Sequence, residues 1–248
     1  MELRLATFNI RHNTDRYDER RPLLVAAFED LRADICGLQE CVLGGDDRQD
    51  DLLAATRSEP YLSFSALSPR WPVAGNAILC GAGQVLAHEQ TKLGYARVAQ
   101  RILVALPGQR TLWFANTHLH HKPEEPEIRA AQARSLCAWL AEAPPADAMV
   151  MVGDFNTPPH EPAYSIMVEH GWRSAFNEAN GAEPSVTWPS GIQAATMDTD
   201  GPAACLDYIW IRGAMSVQSA VVMANQPAPR DATLYPSDHF ALVASVTL

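Results

Sequence analysis

The chain lacks the features that would tie it to an oxidising or membranous setting. Its five cysteines, at positions 36, 41, 80, 137 and 205, form no C-x-x-C pair and leave an odd number, which argues against both a disulfide framework and a zinc site. No apolar run approaches the roughly 18 residues of a membrane span, and no basic stretch followed by an apolar one opens the chain. The expectation is a soluble, cytoplasmic protein with no integral membrane segment. Positive charge is scarce too. Lys+Arg number 19 against Asp+Glu 29, and the formal net charge of −10 opposes nonspecific attraction to a polyanion, so nucleic acid is possible but not favoured as a partner. The basic clusters are small: Arg16, Arg20 and Arg21 beyond the first strand, then Arg97 and Arg101, where surface pairing competes with phosphate contact. No Ser/Gly-rich linker, charge block or internal repeat divides the sequence. With 248 residues and 47% hydrophobic content, it reads as one domain over 1–248 with one large core. Composition says nothing of oligomeric state.

What the chain does have is a series of apolar runs that end in polar residues. Met149-Val150-Met151-Val152 stops at Gly153-Asp154-Phe155-Asn156, followed by Thr157-Pro158-Pro159. Four apolar residues suit a strand covered on both faces, and the glycine and prolines end it. Asp154 and Asn156 then stand two apart, a spacing that aims both side chains the same way if the backbone stays extended. Closing a turn is the competing role for this pair. Other runs end alike: Asn9 after residues 3–8, Glu40 after 34–39, and His118 after 112–117, while Asp207 precedes Tyr208-Ile209-Trp210-Ile211 and Asp238-His239 precedes residues 240–246.

These stretches carry a resemblance. Thr7-Phe8-Asn9, Leu38-Gln39-Glu40, Gly75-Asn76-Ala77-Ile78-Leu79, Asn116-Thr117-His118-Leu119, Gly153-Asp154-Phe155-Asn156, Leu206-Asp207-Tyr208-Ile209 and Ser237-Asp238-His239 resemble, in order and over nearly the whole chain, the motifs of the endonuclease/exonuclease/phosphatase superfamily. That superfamily includes deoxyribonuclease I, exonuclease III, neutral sphingomyelinases and the deadenylases. The resemblance implies a four-layer α/β/β/α sandwich, with two mostly antiparallel sheets flanked by helices. It also implies a phosphoesterase that uses Mg²⁺ or Mn²⁺.

Residue by residue, it implies Glu40 as principal metal ligand, with Asn9 and Asp238 near it; hard oxygen donors suit Mg²⁺ or Mn²⁺ better than zinc. It makes Asp154 the residue that positions or deprotonates the attacking water, and Asn156 the one that holds the phosphate or that water. His239 is the catalytic histidine, Asp207 the carboxylate that fixes its tautomer, and His118 acts on the phosphate or leaving group. Asn76, Arg101 and Trp188 are candidate substrate contacts. For Asn76 a turn role competes, and for Trp188 packing within its own loop. The other histidines are expected at the surface, with His120 and His121 close enough to His118 to line the rim.

The exonuclease III pattern has tyrosine where His118 stands and a tryptophan before the Asp207 motif, and the Trp-Cys-Asp-Arg signature of inositol polyphosphate 5-phosphatases is absent. The expected function is hydrolysis of a phosphodiester by an activated water. A nuclease is the alternative within the class, and a non-catalytic binding protein is the alternative outside it.

Periodicity and turn residues place helices over residues 22–31, 46–57, 126–142 and 161–169. Strands are expected over 61–66, 74–80, 84–93, 96–106, 111–117, 148–152, 205–211, 217–223 and 240–248. Residues 177–204 show no period and are expected to be irregular.

Overall fold

Alternation along each strand builds the architecture. In the first sheet the strand order is β11 (Ser216–Met223), β12 (Ala241–Thr247), β1 (Glu2–Asn9), β2 (Ile35–Val42), β4 (Ala74–Cys80) and β3 (Leu62–Leu67). In the second it is β5 (Gln84–Gly94), β6 (Arg97–Leu106), β7 (Arg110–His118), β8 (Ala148–Asp154), β10 (Asp207–Gly213) and β9 (Arg173–Ser174). Each sheet has one parallel pair, β1 with β2 and β7 with β8, and is otherwise antiparallel. This computed structural model describes residues 1–195, 197 and 201–248. Residues 196 and 198–200, part of the stretch expected to be irregular, lie outside the described residues.

Between the sheets lies an aliphatic core that includes Leu3, Leu5, Ile35, Ile102, Phe114, Val150, Val152, Ile209, Ile211 and Leu242. The opposite faces of the same strands carry Ala6, Phe8, Leu38 and Leu79 against helices α1 (Tyr17–Leu31) and α2 (Gln49–Ala54). On the far side, Trp113, Met149, Met151 and Trp210 meet α3 (Pro126–Ala141) and α4 (Pro162–Glu169). Strands buried on both faces read as continuous apolar runs, which is why residues 149–152 show no alternation.

The inner lanes change chemistry along their length. On β1 the lane runs Leu3, Leu5, Thr7, Asn9; on β7 it runs Leu112, Phe114, Asn116, His118; on β8, Ala148, Val150, Val152, Asp154. Each lane starts aliphatic and ends polar, and all the polar ends meet at one end of the sandwich. Just below that end, Gln39 Nε2 donates to Asn116 Oδ1 (2.7 Å), and Asn116 Nδ2 donates across to the carbonyls of Leu38 (2.9 Å) and Ala77 (2.8 Å). Buried amides so satisfied pin one sheet to the other at a fixed register. Gly37 allows the approach, since a Cβ there would lie 2.4 Å from Val152 Cγ2.

Three helices differ from expectation, and the two-residue strand β9 beside β10 was not expected. Helix α1 begins at Tyr17 and includes Pro22, rather than starting there. The buried Arg20 guanidinium donates to the carbonyls of Ile10 (2.9 Å), Arg11 (2.6 Å), His12 (2.8 Å) and Pro236 (3.0 Å), holding the early turn in place. Helix α2 is shorter than residues 46–57. Helix α5 (Ala175–Asn180) intrudes on the stretch expected to be irregular: Ser174 Oγ accepts from Asn177 N (3.3 Å) and Gly181, at φ 80°, ends it. A six-residue helix is too short to show a period.

Candidate active site

Asp154 sits at the centre of the polar strand ends. The ladder places His118 beside it on one neighbouring strand and Asp207 beside it on the other. Asp154 Oδ2 accepts from Asn9 Nδ2 (2.9 Å) and lies 3.4 Å from His118 Nε2 and 3.6 Å from His239 Nε2. Its other oxygen accepts from the backbone N–H of Asn156 (2.8 Å), so the turn-closing role and the site role fall on the same carboxylate. Burial pushes the Asp154 carboxyl up, and Asp207 adds to this; His239 and the bonds from Asn9 and Asn156 oppose it, and the result is about 7.

His239 is the counterpart. Its Nδ1 lies 2.9 Å from Asp207 Oδ2, within a loop held to β1 by the Ser237 hydroxyl donating to the Asn9 carbonyl (2.7 Å). Burial alone would lower its pKa, but the carboxylates of Asp207, Asp154 and Asp238 outweigh burial and raise it to about 10. The ring is therefore a cation at neutral pH. Asp207 is fixed in turn by Thr187, whose Oγ1 accepts from the N–H groups of Leu206 (2.9 Å) and Asp207 (3.2 Å). His118 behaves oppositely: burial, followed by the charges of Arg97 and His239, drives it well below its ordinary pKa, so this imidazole is neutral.

Glu40 reaches the site through a break in alternation. Positions 35, 37 and 39 of β2 face inward, so regular strand geometry would turn Glu40 away; a bulge between Leu38 and Cys41, with Glu40 at φ 51°, redirects it. Its Oε1 accepts a 3.3 Å bond from Asn9 Nδ2, and its Oε2 lies 3.4 Å from His12 Nε2. Burial would raise the Glu40 carboxyl, but His12, Arg11, His239 and the Asn9 bond hold it below the usual range. Arg11 Nη1 stands 4.0 Å from Glu40 Oε2 and 3.6 Å from Asp238 Oδ2, so both carboxylates face one positive charge. Asp238 Oδ2 also accepts from Trp188 Nε1 (3.3 Å), and the indole lies 6.5 Å from the His239 ring. Trp188 thereby stands beside both Asp238 and His239.

Asn9, Glu40, His118, Asp154, Asp207, Asp238, His239 and Trp188 are thus brought together. Asn156 is adjacent, but its φ is 50° rather than extended, and its Nδ2 donates to the Leu119 carbonyl (3.2 Å). Asn76 Nδ2 bonds the Val98 carbonyl (3.2 Å), joining the two sheets beside the site. Arg101 is not in the cluster. Inward positions of β6 are even-numbered, so Arg101 points outward, where Glu89 Oε2 lies 2.6 Å from its Nη2 and the rings of Trp113 and Trp139 flank it.

Arg11 and His12 stand beside Glu40 although the sequence did not indicate them, and His12 was expected at the surface. For Arg97, phosphate contact stood as the alternative to surface pairing. Arg11 stands two residues after Asn9, and that proximity is the one signal that would have found it. Of the rim histidines, His120 pairs with Glu125 and His121 with Arg97.

Asp154, Asp207 and His239 form a group that could hold a metal ion, with a ligand atom of each within 4.8 Å of the rest. Glu40 and Asp238 instead share the charge of Arg11, and Asn9 bonds Glu40.

A four-layer sandwich whose inner lanes end in carboxylates, amides and imidazoles defines a hydrolase fold. The sequence profile of the Endonuclease/Exonuclease/phosphatase family matches residues 6–239, and the chain belongs to that family. No curated protein sequence matches it. Solved structures share the fold. The human Nocturnin catalytic domain with bound sulfate anion is 22% identical, with a TM-score of 0.78 over 99% of this chain and 93% of that one. D. rerio TDP2 complexed with single strand DNA product is 16% identical, with a TM-score of 0.80 over 100% and 99%. An endonuclease/exonuclease/phosphatase from Bacteroides vulgatus is 21% identical, with a TM-score of 0.80 over 100% and 99%.

Proposed function

We propose that the protein is a divalent-metal-dependent phosphodiesterase that hydrolyses a small or accessible phosphate diester by in-line attack of water. The observation that carries this reading is the Asn9 amide, which bonds Glu40 and Asp154 at once and so joins an oxygen-donor site to an acid–base site. Glu40 and Asp238 would hold the metal, with Asn9 beside them. The fit rests on their chemistry: hard oxygens, of which Glu40 accepts one long bond among the described residues, both facing a position where the protein already sets a cation, Arg11. Bound there, Mg²⁺ or Mn²⁺ supplies positive charge to the phosphoryl and leaving oxygens. The Asp154–Asp207–His239 set is better suited to moving protons, because a protonated imidazole between carboxylates has no lone pair to offer a metal.

The remaining roles follow from protonation. Asp154, poised near neutrality, orients the water and takes its proton as the oxygen forms its bond to phosphorus. His239, kept charged by Asp207, gives its proton to the leaving oxygen as the second P–O bond breaks. Neutral His118 faces the same oxygens and donates a hydrogen bond. Asn156, with its amide nitrogen engaged, offers its oxygen to the water.

A nuclease is the second reading, motivated by the single strand DNA product held in D. rerio TDP2; the net charge of −10 weighs against a long polyanion. No helix among the described residues is long and apolar enough to cross a membrane. The five cysteines are free and buried, which supports a cytoplasmic setting.

The test is hydrolysis of a panel of phosphodiesters, phosphomonoesters and nucleic acids, before and after chelation. Activity on a diester should disappear with chelator and return with Mg²⁺ or Mn²⁺; full turnover in metal-free buffer would sink the proposal.

A further inference from the structure

Arg97 opens β6, directly after two residues in the left-handed region, Tyr95 (φ 50°) and Ala96 (φ 61°), so strand alternation does not fix its direction. Its surroundings set it apart from the protein's other enclosed arginines. Arg11 meets Asp15 at 2.8 Å, Arg101 meets Glu89 at 2.6 Å and Arg129 meets Glu161 at 2.7 Å, while Arg20 is surrounded by carbonyls. Arg97 has no carboxylate within 4.0 Å among the described residues, and its one side-chain hydrogen bond is from Nη2 to His121 Nδ1 (3.2 Å). Accepting that bond fixes His121 as the neutral tautomer with its proton on Nε2.

Arg97 nevertheless stands beside the site: β6 runs antiparallel to β7 with Ala99 opposite Thr117, so the start of β6 lies alongside the His118 end of β7. The guanidinium's charge acts on His118, His12 and His121, and it feels Glu40 and Asp154. Burial is strong enough to lower its pKa despite those carboxylates. A half-buried guanidinium with no carboxylate partner among the described residues is open to an anion, and its planar fork matches two oxygens of a tetrahedral anion.

We infer that Arg97, steadied by His121, binds the non-bridging oxygens of the phosphoryl group that Asp154 and His239 act upon. A metal held by Glu40 and Asp238 would bring one positive charge to the phosphoryl group, and Arg97 would add a second. This deepens the phosphodiesterase reading and rests on it for the word substrate, but the anion site itself is open to a separate measurement.

The experiment titrates inorganic phosphate into the Mg²⁺-supplemented protein by calorimetry, alongside diester kinetics, for the wild type, Arg97→Met, Arg97→Lys and His121→Gln. Arg97→Met should weaken phosphate about tenfold to a hundredfold, the usual span for one charge-assisted pair, and lower kcat/KM at least as much. Arg97→Lys should recover part of the binding and less of kcat, since an ammonium cannot span two oxygens. His121→Gln should fall between wild type and Arg97→Met. Circular dichroism identifies any variant that fails to fold, and Arg97→Lys and His121→Gln then carry the comparison. Phosphate binding within twofold of wild type in the folded Arg97 variants, or no phosphate binding by the wild type at millimolar concentration, overturns the inference. If the wild type hydrolyses no diester but loses phosphate binding with Arg97, the anion site stands and the phosphodiesterase reading fails.

Discussion

Asp207 and Glu40 are both carboxylates at strand ends, yet their partners differ and their variants should separate. Asp207 Oδ2 contacts His239 Nδ1, and its other oxygen is buried with no hydrogen-bond partner among the described residues, so its charge faces the imidazole. Removing that charge in Asp207→Asn leaves burial as the leading influence on His239, and the ring's pKa falls. Turnover should drop by roughly a hundredfold, the scale of acid–base assistance, with metal affinity nearly unchanged. Glu40→Gln should reverse the order, losing metal affinity first and regaining some turnover at high metal concentration. The pH profile distinguishes the roles again. Asp154 works without its proton and His239 with one, so wild-type kcat/KM should rise through about 7 and fall through about 10. In Asp207→Asn the alkaline limb should move to lower pH. Rescue of Asp207→Asn by excess metal would make Asp207 a ligand and overturn this division of labour.

The elements show what could be read in advance and what could not. Strands β4, β6, β7, β8 and β12 lie where apolar runs and turn residues place them, because a two-sided strand needs only local sequence to announce itself. Seven short motifs likewise pointed to both ends of the site. Bulges and turns were hidden, since they depend on pairing. Glu40 belongs to the site only through the bulge in β2, and Arg97 only through the left-handed residues before β6; neither leaves a periodic trace. Arg101 shows the same limit from the other side: a charged residue in a strand near the motifs proves to face the helices once the register is known. The inter-sheet approach at Gly37 depends on pairing as well, and it can be tested. A methyl there would meet Val152 Cγ2 at 2.4 Å and Asn116 Cγ at 2.9 Å, where neither sheet has room to move without breaking the bonds of Asn116. Gly37→Ala should cost about 1–3 kcal/mol and lower the melting temperature by several degrees, roughly 2–4 °C per kcal/mol for a domain of this size. An unchanged melting curve would show that the sheets are not locked at this layer.

At the scale of the whole molecule, the charge distribution decides which substrates can profit from the site. The net charge of −10 sets a repulsive background for any polyanion, and most arginines that leave the surface are already answered by carboxylates or carbonyls. Among the described residues Arg97 is the arginine beside the site with no carboxylate within 4.0 Å, so a substrate is expected to gain one or two phosphate contacts there. Because each neutralised phosphate of a single strand contributes a slope of about −0.7 in log K against log salt, a long strand should bind with a slope no steeper than about −1.5, and a small diester should show almost none. Measuring KM for a small diester and for single-stranded DNA across a series of salt concentrations gives both slopes. A slope steeper than about −3 for DNA, together with turnover above that of the small ester, would mean that cations outside the pocket track the strand; the nuclease reading would then displace the one proposed.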